Sequence, residues 1–190
     1  GQGMNPRTLL DILRVAERLK DTTRHCYTSG GRHESVAEHS WRMTLMAYLV
    51  AEEFPNADLL KLLKMCLIHD LGECFTGDIP AFDKTDADRM TEDQLLNDWV
   101  QTLPEPIRSE WTALYVEMEE RKTLEAKLYK AMDNLEAVIQ HNESDISTWT
   151  EMEYELNQHY GYDKVAFSPW LTQVRDEMKA DTLKKIQDAK

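Results

Sequence analysis

Apolar residues recur every three to four positions along most of the chain, the period of a helix buried on one side. The predicted helices cover, in chain order, residues 8–19, 35–54, 58–72, 87–102, 107–120, 123–140 and 145–160, and a last helix begins at Ser168-Pro169. Alternating runs of β-branched residues are scarce. The expected fold class is therefore all-α, a single helical bundle.

The segments between these helices are predicted as loops. Residues 24–33 carry Gly30 and Gly31, which can adopt positive φ, and residues 74–85 form a second loop. Ser35 and Glu38 have the spacing of a capping box, in which each side chain satisfies the other's backbone amide. The second helix is therefore expected to begin at Ser35.

Length and charge limit the possible functions. The 190 residues fit one domain over 4–190, with a core over about 8–145 and a C-terminal helical extension over 146–190. Residues 1–3, before Met4, resemble a remnant of cloning. The net charge of -13 argues against binding a nucleic-acid polymer, which needs a basic track.

Cysteine content and hydropathy indicate the cell compartment. Cys26, Cys66 and Cys74 form no CxxC pair and are typical of reduced thiols in a cytoplasmic protein. No apolar run approaches the ~20 residues of a membrane span, so no membrane association is expected.

Four side chains that metals prefer interrupt these apolar helices: His39, the dipeptide His69-Asp70, and Asp133. Taken singly, each has an ordinary explanation, such as a surface histidine or a solvated carboxylate. Together they place two imidazoles and two carboxylates on three helices that can converge. A buried unpaired carboxylate is costly, and a bound cation removes that cost. The combination predicts a divalent metal site.

Two acids follow the dipeptide. Glu73 comes four residues after His69 and three after Asp70, which on a continuous helix is the same face. Asp78 lies in a glycine-containing loop that can fold over the site. As alternatives, Glu73 is a surface acid and Asp78 a turn former.

The ordered set resembles the HD-domain superfamily of metal-dependent phosphohydrolases, and most closely its 5'-deoxynucleotidases. The resemblance rests on the segments 34–40, 69–73 and 76–80 and on Asp133, within residues 8–145. It implies that His39, His69, Asp70 and Asp133 bind one divalent ion, which could be Mn²⁺, Co²⁺, Fe²⁺, Ni²⁺, Zn²⁺ or Mg²⁺. Relatives with two metals need extra histidines, and residues 71–132 contain none. A homodimer is also implied.

The reaction implied is removal of the 5'-phosphate from deoxyribonucleoside 5'-monophosphates by metal-activated water. Glu73 and Asp78 would act as base and acid, in either order. Arg24 would hold the phosphate. The resembled bacterial enzymes carry an Arg-Trp pair that helps to select the deoxy sugar. Here His25 occupies the place of the Trp, and His25 or Tyr27 would form the aromatic wall against the substrate, which leaves the choice between deoxyribose and ribose open. As an alternative, Arg24 is an ordinary loop cation.

Two other readings remain. One is hydrolysis of a different nucleotide, such as a di- or triphosphate or guanosine tetraphosphate. The other is a non-catalytic metal-binding nucleotide sensor. Glu73 and Asp78 favour an enzyme, since a structural metal would not need them.

Overall fold

The computed structural model of the chain describes residues 3–77 and 83–190. The all-α prediction is confirmed, with the addition of a small two-stranded sheet. The helices are α1 (Pro6–Asp21), α2 (Val36–Val50), α3 (Leu59–Ile68), α4 (Glu73–Thr76), α5 (Asp86–Val100), α6 (Ile107–Glu120), α7 (Leu124–Glu143), α8 (Glu151–His159), α9 (Tyr162–Val165) and α10 (Pro169–Asp188). The strands are β1 (Thr23–Tyr27) and β2 (His33–Ser35), and 3₁₀ turns cover Ala51–Glu53 and Ile146–Thr148.

Helix α7 lies at the centre of the bundle. It packs against α2, α3 and α6, and the C-terminal helices α9 and α10 cover another of its sides. Met43, Leu62 and Met132, one from each of α2, α3 and α7, are fully buried. Each such side chain contributes about 1.5–3 kcal/mol through its removal from water. The three helices that carry the predicted metal ligands therefore share one core.

Polar side chains fix where two of the helices begin. Ser35 and Glu38 form the predicted capping box at the start of α2, since the Ser35 hydroxyl accepts from Glu38 N at 3.2 Å and Glu38 accepts from Ser35 N at 3.1 Å. Ser168 caps α10, with Pro169 in its first turn. Both starts follow the sequence prediction.

The prediction of a loop over residues 24–33 is wrong, because most of this segment forms an antiparallel hairpin. Tyr27 pairs with His33, and Gly31 in the connecting turn has a φ of +90°. The hairpin is held by α7 rather than by its own apolar pattern. Gln140 Nε2 and Ser144 Oγ both donate to the carbonyl of Tyr27, at 2.7 and 2.5 Å. Such long-range bonds leave no local trace in the sequence.

Helix α3 ends at Ile68, four residues earlier than predicted. The ring nitrogen Nδ1 of His69 bonds to the Cys66 carbonyl at 2.8 Å, and the Tyr115 hydroxyl donates to the Ile68 carbonyl at 2.6 Å. These contacts compete for carbonyls that would continue the helix. A tighter turn follows, with Leu71 N donating to Ile68 O, and α4 begins at Glu73 and extends into the segment 74–85 predicted as a loop.

The predicted helix over 145–160 is also divided. A 3₁₀ turn over Ile146–Thr148 precedes α8, and Thr150 forms a capping box with Glu153 at the start of α8. None of the helices in the described parts of the chain is long and apolar enough to cross a membrane.

Candidate metal centre

The four predicted ligands converge on one point. His39 lies in the first turn of α2, His69 and Asp70 lie in the turn after α3, and Asp133 lies midway along α7. One ligand atom from each falls within 4.8 Å of all the others. The Nε2 atom of His39 is 2.9 Å from Asp133 Oδ1, and His69 Nε2 is 2.9 Å from Asp70 Oδ2. Two imidazole nitrogens and two carboxylates thus surround a small common space.

The two histidines present the same nitrogen to this space for different reasons. The Nδ1 atom of His39, which is fully buried, lies 2.6 Å from Glu136 Oε1. The Nδ1 atom of His69 donates a hydrogen bond to the Cys66 carbonyl. With Nδ1 protonated in each ring, Nε2 is left as the ligand atom.

An unsatisfied atom indicates that a cation fits here. His69 Nε2 is buried and makes no well-aligned hydrogen bond within the described ranges, although two carboxylate oxygens are close, Asp70 Oδ2 at 2.9 Å and Asp133 Oδ1 at 3.3 Å. A cation between the nitrogen and these oxygens would satisfy all three atoms. Asp70 and Asp133 each keep about a fifth of the side chain exposed (20% and 21%), so the space is open on one side. The donor set and the orphan nitrogen both suit a divalent ion.

The charges of the four groups depend on one another. Burial lowers the pKa of His69, but the Asp70 and Asp133 carboxylates outweigh burial and raise that pKa to about 10. Burial raises the pKa of Asp133, yet Lys130 and the two imidazoles hold it well below its usual range. Burial likewise raises the pKa of Asp70, but the His69 imidazole outweighs burial and lowers it, so both carboxylates are ionised at neutral pH. A cation entering the space would replace protons on the imidazoles.

A second layer of charged side chains, which the sequence analysis missed, supports His39. Glu136 is fully buried, and its second oxygen lies 2.5 Å from Arg42 Nε. Arg42 also contacts Gln140 Oε1 at 2.9 Å and Glu143 Oε1 at 2.6 Å. The available sequence signal was the spacing of three between Asp133 and Glu136 and between His39 and Arg42, which places each pair on one helical face.

Arg24 lies at the edge of this layer. Its Nε atom is 3.1 Å from Glu34 Oε1, and the Cys26 thiol donates to the same oxygen at 3.7 Å. Burial raises the pKa of Glu34 to about 6, as does the nearby Glu136 carboxylate, while Arg24 opposes the rise. Burial and the Arg24 charge both lower the pKa of His39, but the Asp133 and Glu136 carboxylates outweigh them and raise that pKa.

The other predicted site residues are His25, Glu73 and Asp78, and the structure describes the positions of the first two. His25 lies beside the ring of His141, with centroids 5.2 Å apart. Glu73 is buried in the first turn of α4, directly after the ligand-bearing turn. Asp78 lies outside the described residues. The substrate and catalytic roles of these residues stay predictions.

A cavity of about 540 Å³ reaches His69 from between α5, α6 and α7. Tyr115 and Tyr129 line its inner part, and acidic side chains line its outer part: Glu92, Asp93, Glu119 and Glu120. This volume falls in the range of small-molecule sites. The acidic rim makes it unfavourable for a highly charged anion.

Comparison with known proteins agrees with this geometry. The profile of the family described as "HD domain" matches residues 16–175. Human 5'-deoxynucleotidase HDDC2 is 30% identical over 187 residues, which cover 94% of this chain and 88% of the human protein. The Dictyostelium discoideum protein of the same name is 27% identical, over 93% of each chain.

Among solved structures, a predicted metal-dependent phosphohydrolase from Magnetospirillum magnetotacticum MS-1 superposes with a TM-score of 0.79 at 25% identity, covering 94% of this chain and 93% of that one. The family match spans all four converging ligands and the helices that carry them. This chain belongs to the HD-domain family of metal-dependent phosphohydrolases.

Proposed function

We propose that the protein removes the 5'-phosphate from deoxyribonucleoside 5'-monophosphates, with one divalent ion bound by His39, His69, Asp70 and Asp133. The observation that carries the proposal is the convergence of these four side chains around the unsatisfied Nε2 of His69. The names of the curated relatives, which are 5'-deoxynucleotidases, supply the reaction class. Mn²⁺, Co²⁺, Fe²⁺, Ni²⁺, Zn²⁺ and Mg²⁺ all accept such mixed ligands.

When bound, a divalent ion neutralises phosphate oxygens and lowers the pKa of water. The chain supplies the geometry. Glu136 and the Cys66 carbonyl hold the two imidazoles in the tautomer that offers Nε2. Lys130 Nζ lies 3.2 Å from Asp133 Oδ2 and adds a positive charge that favours both the ionised carboxylate and an incoming phosphate.

The acid–base work is assigned to Glu73 and Asp78. Glu73 follows the ligand-bearing turn directly and is buried, which suits a carboxylate that orients a water molecule or takes its proton. Water adds to phosphorus, the bond between phosphorus and the 5'-oxygen breaks, and the leaving oxygen takes a proton. Asp78 supplies that proton, or exchanges roles with Glu73.

The substrate fits between Arg24 and the cavity beside His69. Arg24 is proposed to contact the phosphate, at the cost of loosening its ion pair with Glu34. The nucleoside enters the 540 Å³ cavity between α5 and α7. Its acidic rim disfavours di- and triphosphates and guanosine tetraphosphate, which supports a monophosphate substrate.

Phosphate release from paired ribo- and deoxyribonucleoside monophosphates, with Mn²⁺, Co²⁺ or Mg²⁺, tests the proposal. Glu73→Gln should lower turnover about 100-fold or more while the ion stays bound. Glu110→Gln is the matched control, since Glu110 pairs with Lys64 on α3 away from the cavity. Release from none of the substrates, with metal bound, would favour the nucleotide sensor instead.

We also infer that the protein is a homodimer. The outer face of α2, opposite His39, exposes Trp41, Leu45 and Tyr48, and with Leu13 and Leu67 these line an apolar groove of about 810 Å³. Contiguous apolar surface of this kind is rare on monomeric proteins and is typical of protein–protein interfaces. Light scattering should give twice the chain mass, and Trp41→Glu should give monomers.

The reducing cytoplasm is the compartment that suits this chain. Its cysteines Cys26, Cys66 and Cys74 are all free and buried thiols.

A further inference from the structure

A second group of metal-preferring side chains lies where the hairpin meets the C-terminal helices. His25 is in β1, His141 is in the last turn of α7, and Glu153 is in the first turn of α8. One ligand atom from each falls within 4.8 Å of the other two. His25 lies far in sequence from His141 and Glu153, so its meeting with them is a product of the fold.

The distances are close to those that an ion requires. His141 Nδ1 lies 2.7 Å from Glu153 Oε2, and the rings of His25 and His141 are tilted by 46° with centroids 5.2 Å apart. A tetrahedral ion with bonds of about 2.0–2.1 Å keeps its ligand atoms roughly 3.3 Å apart. Movements of about 1.5 Å or less, within reach of side-chain rotation, would bring the three atoms to that spacing.

Neighbouring contacts position two of these residues. The other oxygen of Glu153 accepts from Thr150 N at 3.0 Å, which holds that side chain, and the main-chain carbonyl of His141 accepts from the buried Trp149 indole at 2.9 Å, which fixes the backbone there. Glu153 and His141 are only 3% and 8% exposed. Such support of ligands by surrounding hydrogen bonds is typical of metal sites.

We propose that His25, His141 and Glu153 form a second binding site for a divalent transition-metal ion of the zinc type, with water as the fourth ligand. Two imidazoles and one carboxylate are the protein ligands of many four-coordinate zinc sites. The ion would join β1 and α8 to the end of α7. Because Arg24 adjoins His25 in β1, occupancy would also fix the strand that carries the proposed phosphate contact.

Zn²⁺ and Co²⁺ binding to the full-length protein, after chelator treatment, tests the site. Bound metal is measured by elemental analysis, and the Co²⁺ absorption spectrum reports a four-coordinate environment. The double variant His39→Gln/His69→Gln disables the first centre and should retain one equivalent of metal. Adding His141→Gln should abolish that equivalent. His159→Gln removes an exposed histidine of α8 whose Nε2 lies 2.8 Å from the exposed Glu155, and it should leave that equivalent unchanged.

Glu153→Gln covers the case in which His141→Gln does not fold, since the glutamine can still accept from Thr150 N. In the double-variant background it should weaken Zn²⁺ binding at least tenfold. It should also remove the rise in melting temperature, roughly 5 to 10 °C, that Zn²⁺ gives at a hundredfold excess over its dissociation constant. A folded double variant that binds no metal overturns the second site and leaves the proposed activity standing. Unchanged Zn²⁺ binding in Glu153→Gln also overturns it.

Discussion

Glu136 gives the sharpest test of how the metal centre is built. Its two oxygens join His39 Nδ1, at 2.6 Å, to Arg42 Nε, at 2.5 Å, in a place without solvent contact. Glu136→Gln keeps the size and one acceptor but removes the charge. If the amide oxygen still accepts from His39, the amide nitrogen faces the Arg42 donor, so one of the two contacts is lost.

The magnitude follows from these contacts. Loss of a partner that orients a metal-binding histidine costs about 10- to 100-fold in metal affinity, or about 1.4–2.7 kcal/mol. Leaving the partly buried Arg42 donor opposite another donor should cost about 1 kcal/mol of unfolding free energy, near the lower end for an unmade hydrogen bond. The first effect is specific to metal binding, and the second appears without metal.

Calorimetric titration of the chelator-treated protein with Mn²⁺, together with urea unfolding, separates the two effects. Glu143→Gln is the matched control, because Glu143 binds the same Arg42 at 2.6 Å but is half-exposed and does not reach His39. It should leave Mn²⁺ affinity within about twofold of the wild type. Equal affinities in Glu136→Gln and the wild type would refute the idea that Glu136 orients His39.

Three further predictions concern the surrounding structure. Gly161→Ala should lower the free energy of unfolding in urea by about 2 kcal/mol or more, because φ is +86° and the new Cβ would lie 3.2 Å from Asn134 Cβ. The control Gly31→Ala, with φ +90° and nothing within 4 Å of the new Cβ, should lower it by only about 1 kcal/mol. Equal losses in the two variants would exclude a role for the contact with Asn134. Burial opposes ionisation of Glu153, but hydrogen bonds from His141 and from the Thr150 amide lower its pKa to about 2, below an unfolded value near 4.5. Ionised Glu153 therefore stabilises the folded protein above about pH 4.5, and this stabilisation is lost as the pH falls towards 2. The difference in unfolding free energy between the wild type and Glu153→Gln, measured with chelator present, should shrink by roughly 3 kcal/mol across that window. A constant difference would contradict the assignment. Chelation of the wild type should lower its melting temperature by several degrees and abolish phosphate release, and re-addition of Mn²⁺ should restore both; a melting temperature unaffected by chelator would argue against a tightly bound ion.

The convergence of the four proposed ligands could be predicted from their combination, because each is a metal-preferring side chain within an apolar helix. His39, His69, Asp70 and Asp133 interrupt apolar helices, and the amphipathic period placed those helices correctly in type. The capping box at Ser35 was equally local. In each case the chemistry and its position are encoded within a few residues.

What sequence reasoning missed depends on distant partners. Helix α3 ends at Ile68 because Tyr115, from another helix, takes a carbonyl there, and the hairpin forms because Gln140 reaches the carbonyl of Tyr27. The role of Glu136 was hidden for the same reason, since a carboxylate on a helix looks solvated until its neighbours are known. The continuous helix assumed for Glu73 failed at the same turn.

The two histidines of the proposed metal centre differ in whether a single substitution can change their orientation. The orientation of His69 depends on a main-chain carbonyl, which every amino acid at position 66 would supply. The orientation of His39 depends on a side chain, which a single substitution can change. Substitutions at position 66 therefore leave the contact that orients His69 in place, whereas substitutions at position 136 remove the contact that orients His39. Directed evolution of metal preference should accordingly yield changes around Glu136 and Arg42 more readily than around Cys66.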